Sequence, residues 1–211
     1  MMDWNIKKWP ISLITAIIAN ILYYAFLITA AFTFLKFPFQ TYNPFFDTVS
    51  SLGDTGKNPR GWILFSICLI LLGIILVPFF IDMSRWYAKQ PEKKKLIRII
   101  QILGYLNSVS MVMIGFYPTD IRSFEHGFWS MMNFLFIISV IIVANYALRD
   151  HPSFIRQVAY LGYITCVFCF LYIILGMFDV QGVTTIWEWL SFMAGLAYAL
   201  AIALNIYKKG L

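Results

Sequence analysis

"GWILFSICLILLGIILVPFFI", residues 61 to 81, runs for twenty-one residues without one Asp, Glu, Lys or Arg. As a helix it would be about 32 Å long, close to the ~30 Å of hydrocarbon a membrane span must cross. It has no polar face that a soluble helix would turn to water. The segment therefore predicts a membrane span, and the question becomes how many more the chain holds.

Working outward, five further apolar runs qualify, at about 11–35, 96–116, 127–148, 158–178 and 184–206. Of the 211 residues 61% are apolar and only 12% charged, with mean hydropathy +0.76. Soluble domains run near ~45–50% apolar and ~25% charged, so water is not the main solvent. A transmembrane β-barrel would show short alternating segments, whereas these runs are long and unbroken. The expectation is an all-α, polytopic membrane protein, one six-helix domain over residues 1–211. Lys7 and Lys8 before the first run give it a signal-peptide flavour. Its length exceeds the roughly 7–15 residues of a signal core, so an uncleaved first span is expected.

Short basic loops orient such a protein, with Lys and Arg held on the cytoplasmic side. With the N-terminus inside, that side holds Lys7, Lys8, Arg85, Lys89, Lys93, Lys94, Lys95, Arg98, Arg149, Arg156, Lys208 and Lys209, twelve against four on the other. The four are Lys36, Lys57, Arg60 and Arg122. Cytoplasmic termini in a cell membrane follow. The net charge of +6 reads as membrane orientation, with no nucleic-acid partner implied.

All three cysteines, Cys68, Cys166 and Cys169, fall inside spans. The C-x-x-C of the last two has no following His and lies on a membrane helix, so it matches neither haem attachment nor a thioredoxin-like site. No disulfide and no cofactor is expected.

The polar content gathers on the predicted non-cytoplasmic side. "YNPFFDTVSSLGDTGKNPRGW" (42–62) suggests a short interfacial helix, capped by Asn43 with Pro44 at its first position and closed by Gly53. Phe45, Val49 and Leu52 would share its apolar face, Asp47, Ser50 and Ser51 its polar one. The second such loop, "FYPTDIRSFEHGFWS" (116–130), packs Asp120, Arg122, Glu125 and His126 together. His126, Ser130 and Asn133 continue as a stripe at helical spacing, reaching about 10 Å inward. Span three offers Asn107, Ser108 and Ser110, span six Glu188, Ser191 and Gly195, and the short third loop Asp179. These elements are expected to form one polar cup.

Asp54, Asp120 and His126 are the candidate acid–base residues, with His126 as base oriented by a carboxylate. Ser50, Ser51, Asn58, Arg60, Arg122, Ser130, Asn133 and Glu188 are the candidate binding residues. One outer histidine is too few for an ordinary zinc site, and no metal is assigned, although carboxylates would suit harder ions. Against chemistry stands the plainer expectation that Arg60 and Arg122 neutralise Asp54, Asp120 and Glu125 and pin the loops. Transport finds little support, since midplane charges and paired helix breaks are lacking. In the last span, Gly195 with Ala199 and Ala197 with Ala201 have small-x-x-x-small spacing, which suits close helix contact and a homo-oligomer.

The pairing of "DTVSSLGDTGKNPRGWILFS" with "GFYPTDIRSFEHGFWS" resembles an uncharacterised prokaryotic family of six-span membrane proteins. Ser50, Leu52, Gly53, Asn58, Pro59 and Phe65 carry the first motif, and Gly115, Pro118, Asp120 and His126 the second. The layout is also similar to DRAM-like and Sfk-like proteins, which are linked to membrane lipid handling. The resemblance implies a six-helix fold with its polar residues on the non-cytoplasmic side, and it supplies no reaction. Three functional expectations stay open. They are binding of a polar lipid headgroup in the cup, with the arginines meeting phosphate; an intramembrane lipid hydrolase or transferase; and a membrane scaffold.

Overall fold

The computed structural model describes residues 9–34, 41–88, 91–178 and 183–210. Lys7, Lys8, Lys36, Lys89 and Asp179, used above, lie outside the described residues. Six helices carry the chain: α1 (Ile11–Phe32), α2 (Trp62–Asp82), α3 (Lys94–Phe116), α4 (Ser123–Leu148), α5 (Arg156–Met177) and α6 (Val183–Lys208). All six are long and apolar enough to cross a membrane. The chain is an all-α, multi-pass membrane protein.

Each helix packs on the next and α6 returns to α1, so the bundle is a closed ring. Residues 41–61 and 117–122 lie at one end, here the upper end; residues 83–88, 91–93 and 149–155 lie at the other. Glycines let neighbours approach. A Cβ on Gly73 would come within 2.6 Å of the Ser108 carbonyl oxygen, and one on Gly115 within 2.7 Å of that of Ser66. The α2–α3 seam is thus built on backbone contact. Pro78 sits four residues before the end of α2 and is accommodated within the helix. Gly195 and Ala199, read above as an association face, line a small internal cavity with Asn107, Met111 and Tyr198.

The ring centre holds a polar knot. Asn107 Nδ2 donates to Asn133 Oδ1 at 2.7 Å, and Ser110 Oγ to the same oxygen at 3.3 Å, tying α3 to α4. Asn133 therefore belongs to the helix seam, since polar groups at this depth must bond one another.

The lower end is closed by side chains bonded to backbone. Asp82, the last residue of α2, accepts the Ser12 N–H at 2.9 Å at the start of α1 and pairs with Arg85. It supplies the missing cap and a carboxylate where the helix dipole favours one. Asn205 of α6 accepts the Ile155 N–H and donates to the Ser153 carbonyl, fixing the α4–α5 turn. Trp86, fully buried, stands edge-on to His151 at 5.0 Å and to Phe154 at 5.9 Å.

The helix expected over 43–53 narrows to a 3-10 turn, Ser50–Gly53, after an irregular turn at 44–47. The reason is competition for backbone groups. Asp47 Oδ2 accepts the Asn43 N–H, Tyr42 donates its hydroxyl to the Asp47 and Thr48 carbonyls, and the Val49 N–H goes to Glu188. Val49 and Leu52 are buried as expected, whereas Phe45 is 67% exposed.

Candidate functional site

Two loops build the roof of the upper end by clasping each other. Thr119 donates its hydroxyl to the Ser50 carbonyl at 2.7 Å and its N–H to the Gly53 carbonyl at 3.3 Å. Asp120 accepts the Thr55 N–H at 3.0 Å and the Thr55 hydroxyl. Slight desolvation pushes the Asp120 carboxyl up, and the Thr55 donors outweigh it, holding the group below the ordinary carboxylate value. Asn58 locks the roof to α1. Its Nδ2 donates to the Ala30 and Leu52 carbonyls, and its Oδ1 accepts from Thr33 Oγ1 and the Gly61 N–H. A Cβ on Gly61 would run into Thr33 and Asn58, so only glycine fits beneath this amide.

Glu188, in the second turn of α6 and 1% exposed, ties the roof to the opposite wall. Its two carboxylate oxygens accept the Val49 N–H at 2.8 Å and the Ser50 hydroxyl. Trp189, the next residue, donates Nε1–H to the Asp47 carbonyl. Roof and α6 therefore form one unit, and loss of Glu188 would strand the Val49 and Ser50 donors.

Beneath the roof lies a cavity of about 380 Å³. Its lining includes Ser50, His126, Ser130 and Glu188, four of the residues singled out in the sequence. Helical spacing explains the α4 share. Ser123, His126, Gly127, Ser130 and Met131 sit at offsets 0, 3, 4, 7 and 8 and so share one face. His126 is 4% exposed. Its Nδ1 lies 2.7 Å from the Tyr117 carbonyl oxygen, and its Nε2 has no hydrogen-bond partner in the protein.

Other candidates serve elsewhere. Asp54 accepts the Gly56 and Lys57 N–H groups and pairs with Lys57 at 3.4 Å, taking Lys57 where Arg60 had been expected. Ser51 donates to the Thr48 carbonyl at 2.7 Å. Arg122 pairs with Glu125 at 3.3 Å, and both Arg60 and Arg122 are exposed and outside the cavity lining. Asn58 and Asn133 are fully buried within the framework. His126 bonds neither Asp54 nor Asp120: its ring is oriented by a backbone carbonyl instead of an acid. Among the described residues, no three His, Cys, Asp or Glu side chains gather closely enough to hold a metal ion.

Four polar lining residues had not been singled out: Thr48, Thr119, Ser123 and Tyr172. Three of them stand within the quoted polar loops. Tyr172 lies in the apolar run "FCFLYIILGMF", and its hydroxyl is the only hydrogen-bonding side-chain group in that run apart from the Cys169 thiol, a signal that aromatic content masks.

No curated protein and no solved structure matches the chain, so the DRAM-like and Sfk-like similarity gains nothing from comparison. One family model matches over residues 17–205, from the second turn of α1 nearly to the end of α6, and thus takes in the ring, the roof and the cavity. The chain belongs to that family, described as "protein of unknown function (DUF998)".

Proposed function

We propose that this membrane protein binds the polar end of an amphiphile in the upper cavity, on the non-cytoplasmic side. The observation that carries the reading is the convergence of the Ser50 loop, His126 and Ser130 of α4, Tyr172 of α5 and Glu188 of α6 on one space. That space combines hydroxyls, an imidazole and a carboxylate with Met131, Ile173 and Met177, beneath the loops at the upper end of the ring. Sidedness is supported by the basic residues. Arg85, Lys93, Lys94, Lys95, Arg98, Arg149, Arg156, Lys208 and Lys209 cluster at the lower end, against Lys57, Arg60 and Arg122 above. Arg60 and Arg122 stand outside the lining, so the headgroup meets hydroxyls, an imidazole and a carboxylate before any guanidinium.

Native mass spectrometry of the purified protein tests this. The parent should retain lipid; Ser130→Phe, which fills the cavity, should lose it while unfolding at a similar temperature. Absence of retained lipid in the parent overturns the reading.

The free Nε2 of His126 favours one second reading, in which it acts as general base toward a bound water or hydroxyl. Here the Tyr117 carbonyl, in place of Asp120 or Asp54, orients the ring. That version predicts turnover of an added ester lipid by the parent and none by His126→Gln. An inert parent dismisses it.

A further inference from the structure

The cavity's hydrogen-bonding sense is set by His126. A carbonyl oxygen only accepts, so the 2.7 Å contact with Tyr117 places the ring proton on Nδ1. Nε2 then presents a lone pair, on a buried side chain that lines the cavity and offers it no protein donor. Glu188 adds a second acceptor, already bonded by Val49 and Ser50. Among the described residues no Lys or Arg lines the cavity. A phosphate there would face a lone pair and a carboxylate with no cation among the described lining residues to balance it, which is costly away from water. A ligand hydroxyl would instead satisfy Nε2 and find Ser123, Ser130 and Thr48 beside it.

The access route is written in the front wall. On α4 it consists of Gly127 and Met131, on α5 of Ile173, Gly176 and Met177. Met131 is 39% exposed and Met177 73%. A Cβ built on Gly127 or Gly176 would meet nothing within 4 Å, so both positions of this wall border open space.

We infer that the cavity takes, through the gap between α4 and α5, a phosphate-free lipid with a hydroxyl headgroup, of the monoacylglycerol class, whose hydroxyl donates to His126 Nε2. The inference rests on the lipid-binding reading above and narrows it. The tail lies between Met131, Ile173 and Met177, and the glycines leave room for it to pass.

The test uses the full-length protein labelled with nitrogen-15 histidine in phosphatidylcholine bilayers. Monooleoylglycerol, or the lysophosphatidic acid of the same chain, is added stepwise. Monooleoylglycerol should shift the His126 Nε2 resonance in the direction of an accepted hydrogen bond and leave His151 unmoved; lysophosphatidic acid should not. The Gly127→Leu, Gly176→Leu double variant should need about tenfold more monooleoylglycerol for the same shift, the equivalent of about 1.4 kcal/mol. Leucine suits both helical positions better than glycine, so folding is expected to persist and thermal unfolding verifies it. An equal or larger response to lysophosphatidic acid overturns the ligand class, and an unchanged response of the double variant overturns the route. Either result leaves lipid binding itself standing if native mass spectrometry finds retained lipid. A resonance unmoved by either lipid overturns the inference, and absence of retained lipid then removes the broader reading as well.

Discussion

The two histidines lie at opposite ends of the ring and are held in opposite ways. His151 uses Nδ1 to accept the Ser153 N–H at 3.1 Å and stands edge-on to Trp86, part of a lower end that is closed. His126, which lines the cavity, places Nδ1 against a carbonyl and leaves Nε2 without a hydrogen-bond partner in the protein. Both are almost fully buried, so exposure does not separate them. What separates them is their surroundings: His126 lines the upper cavity, whereas His151 packs against Trp86. At the lower end, Asp82, Asn205 and His151 all serve backbone groups. The upper end spends Asn58, Asp54 and Asp120 in the same manner, yet it encloses a cavity lined by His126, whose Nε2 has no hydrogen-bond partner in the protein. A buried polar atom left without a partner costs about 1–3 kcal/mol, and a ligand that supplies the missing donor recovers it.

The largest effect should come from the residue that joins the roof to the wall. Glu188→Ala strands the Val49 N–H and the Ser50 hydroxyl and should cost about 3–4 kcal/mol, read as a fall in thermal unfolding temperature in detergent. Asn58→Ala removes the lock between roof and α1 and should cost about 2–3 kcal/mol in the same measurement. Asp82→Ala, its lower-end counterpart, uncaps α1 and should cost about 1–2 kcal/mol, since Arg85 is partly exposed and its pairing is screened. That change should leave lipid retention intact. If Asp82→Ala abolished retention as fully as Glu188→Ala, the contrast between the ends would fail.

The Asp120–Thr55 clasp supplies a subtler separation. Because the folded carboxyl ionises below its ordinary value, the clasp contributes fully above about pH 4 and is lost as pH falls through the lower, folded value. Amide exchange at Thr55 should therefore accelerate, relative to the intrinsic rate, only in strongly acidic solution. In Asp120→Asn it should be faster at every pH. The smallest effect is expected for Arg122→Ala, whose exposed pairing with Glu125 is worth under about 0.5 kcal/mol. Lipid retention should be unchanged, and a marked loss would bring phosphate recognition back.

How much of this is written in the sequence follows from which interactions are local. The span at 61–81 is observed as Trp62–Asp82, and the other five agree comparably, because crossing hydrocarbon imposes a length that composition alone reveals. His126 and Ser130 share a face by helical spacing, so their meeting at the cavity is legible. Asn58, Asp54, Asp120 and Asn133 look like ligand-binding groups from the sequence because they are polar in a greasy chain. Asn58 and Asn133 find their partners across other segments, at the Ala30 carbonyl and at Asn107, which no periodicity discloses. The helix expected over 43–53 fails for a related reason: Tyr42 and Glu188 take backbone groups that a helix would need, and Glu188 is more than a hundred residues away.

Lipid capture in situ tests the central claim most directly. A photoactivatable monoacylglycerol with a diazirine near its headgroup is cross-linked to the protein in isolated membranes, and the adducts are mapped by peptide mass spectrometry. The account predicts adducts concentrated on residues 123–131 of α4 and 172–177 of α5, lost in the Gly127→Leu, Gly176→Leu variant. Adducts scattered over the outward faces of α1 and α2, with those two segments unlabelled, would contradict it.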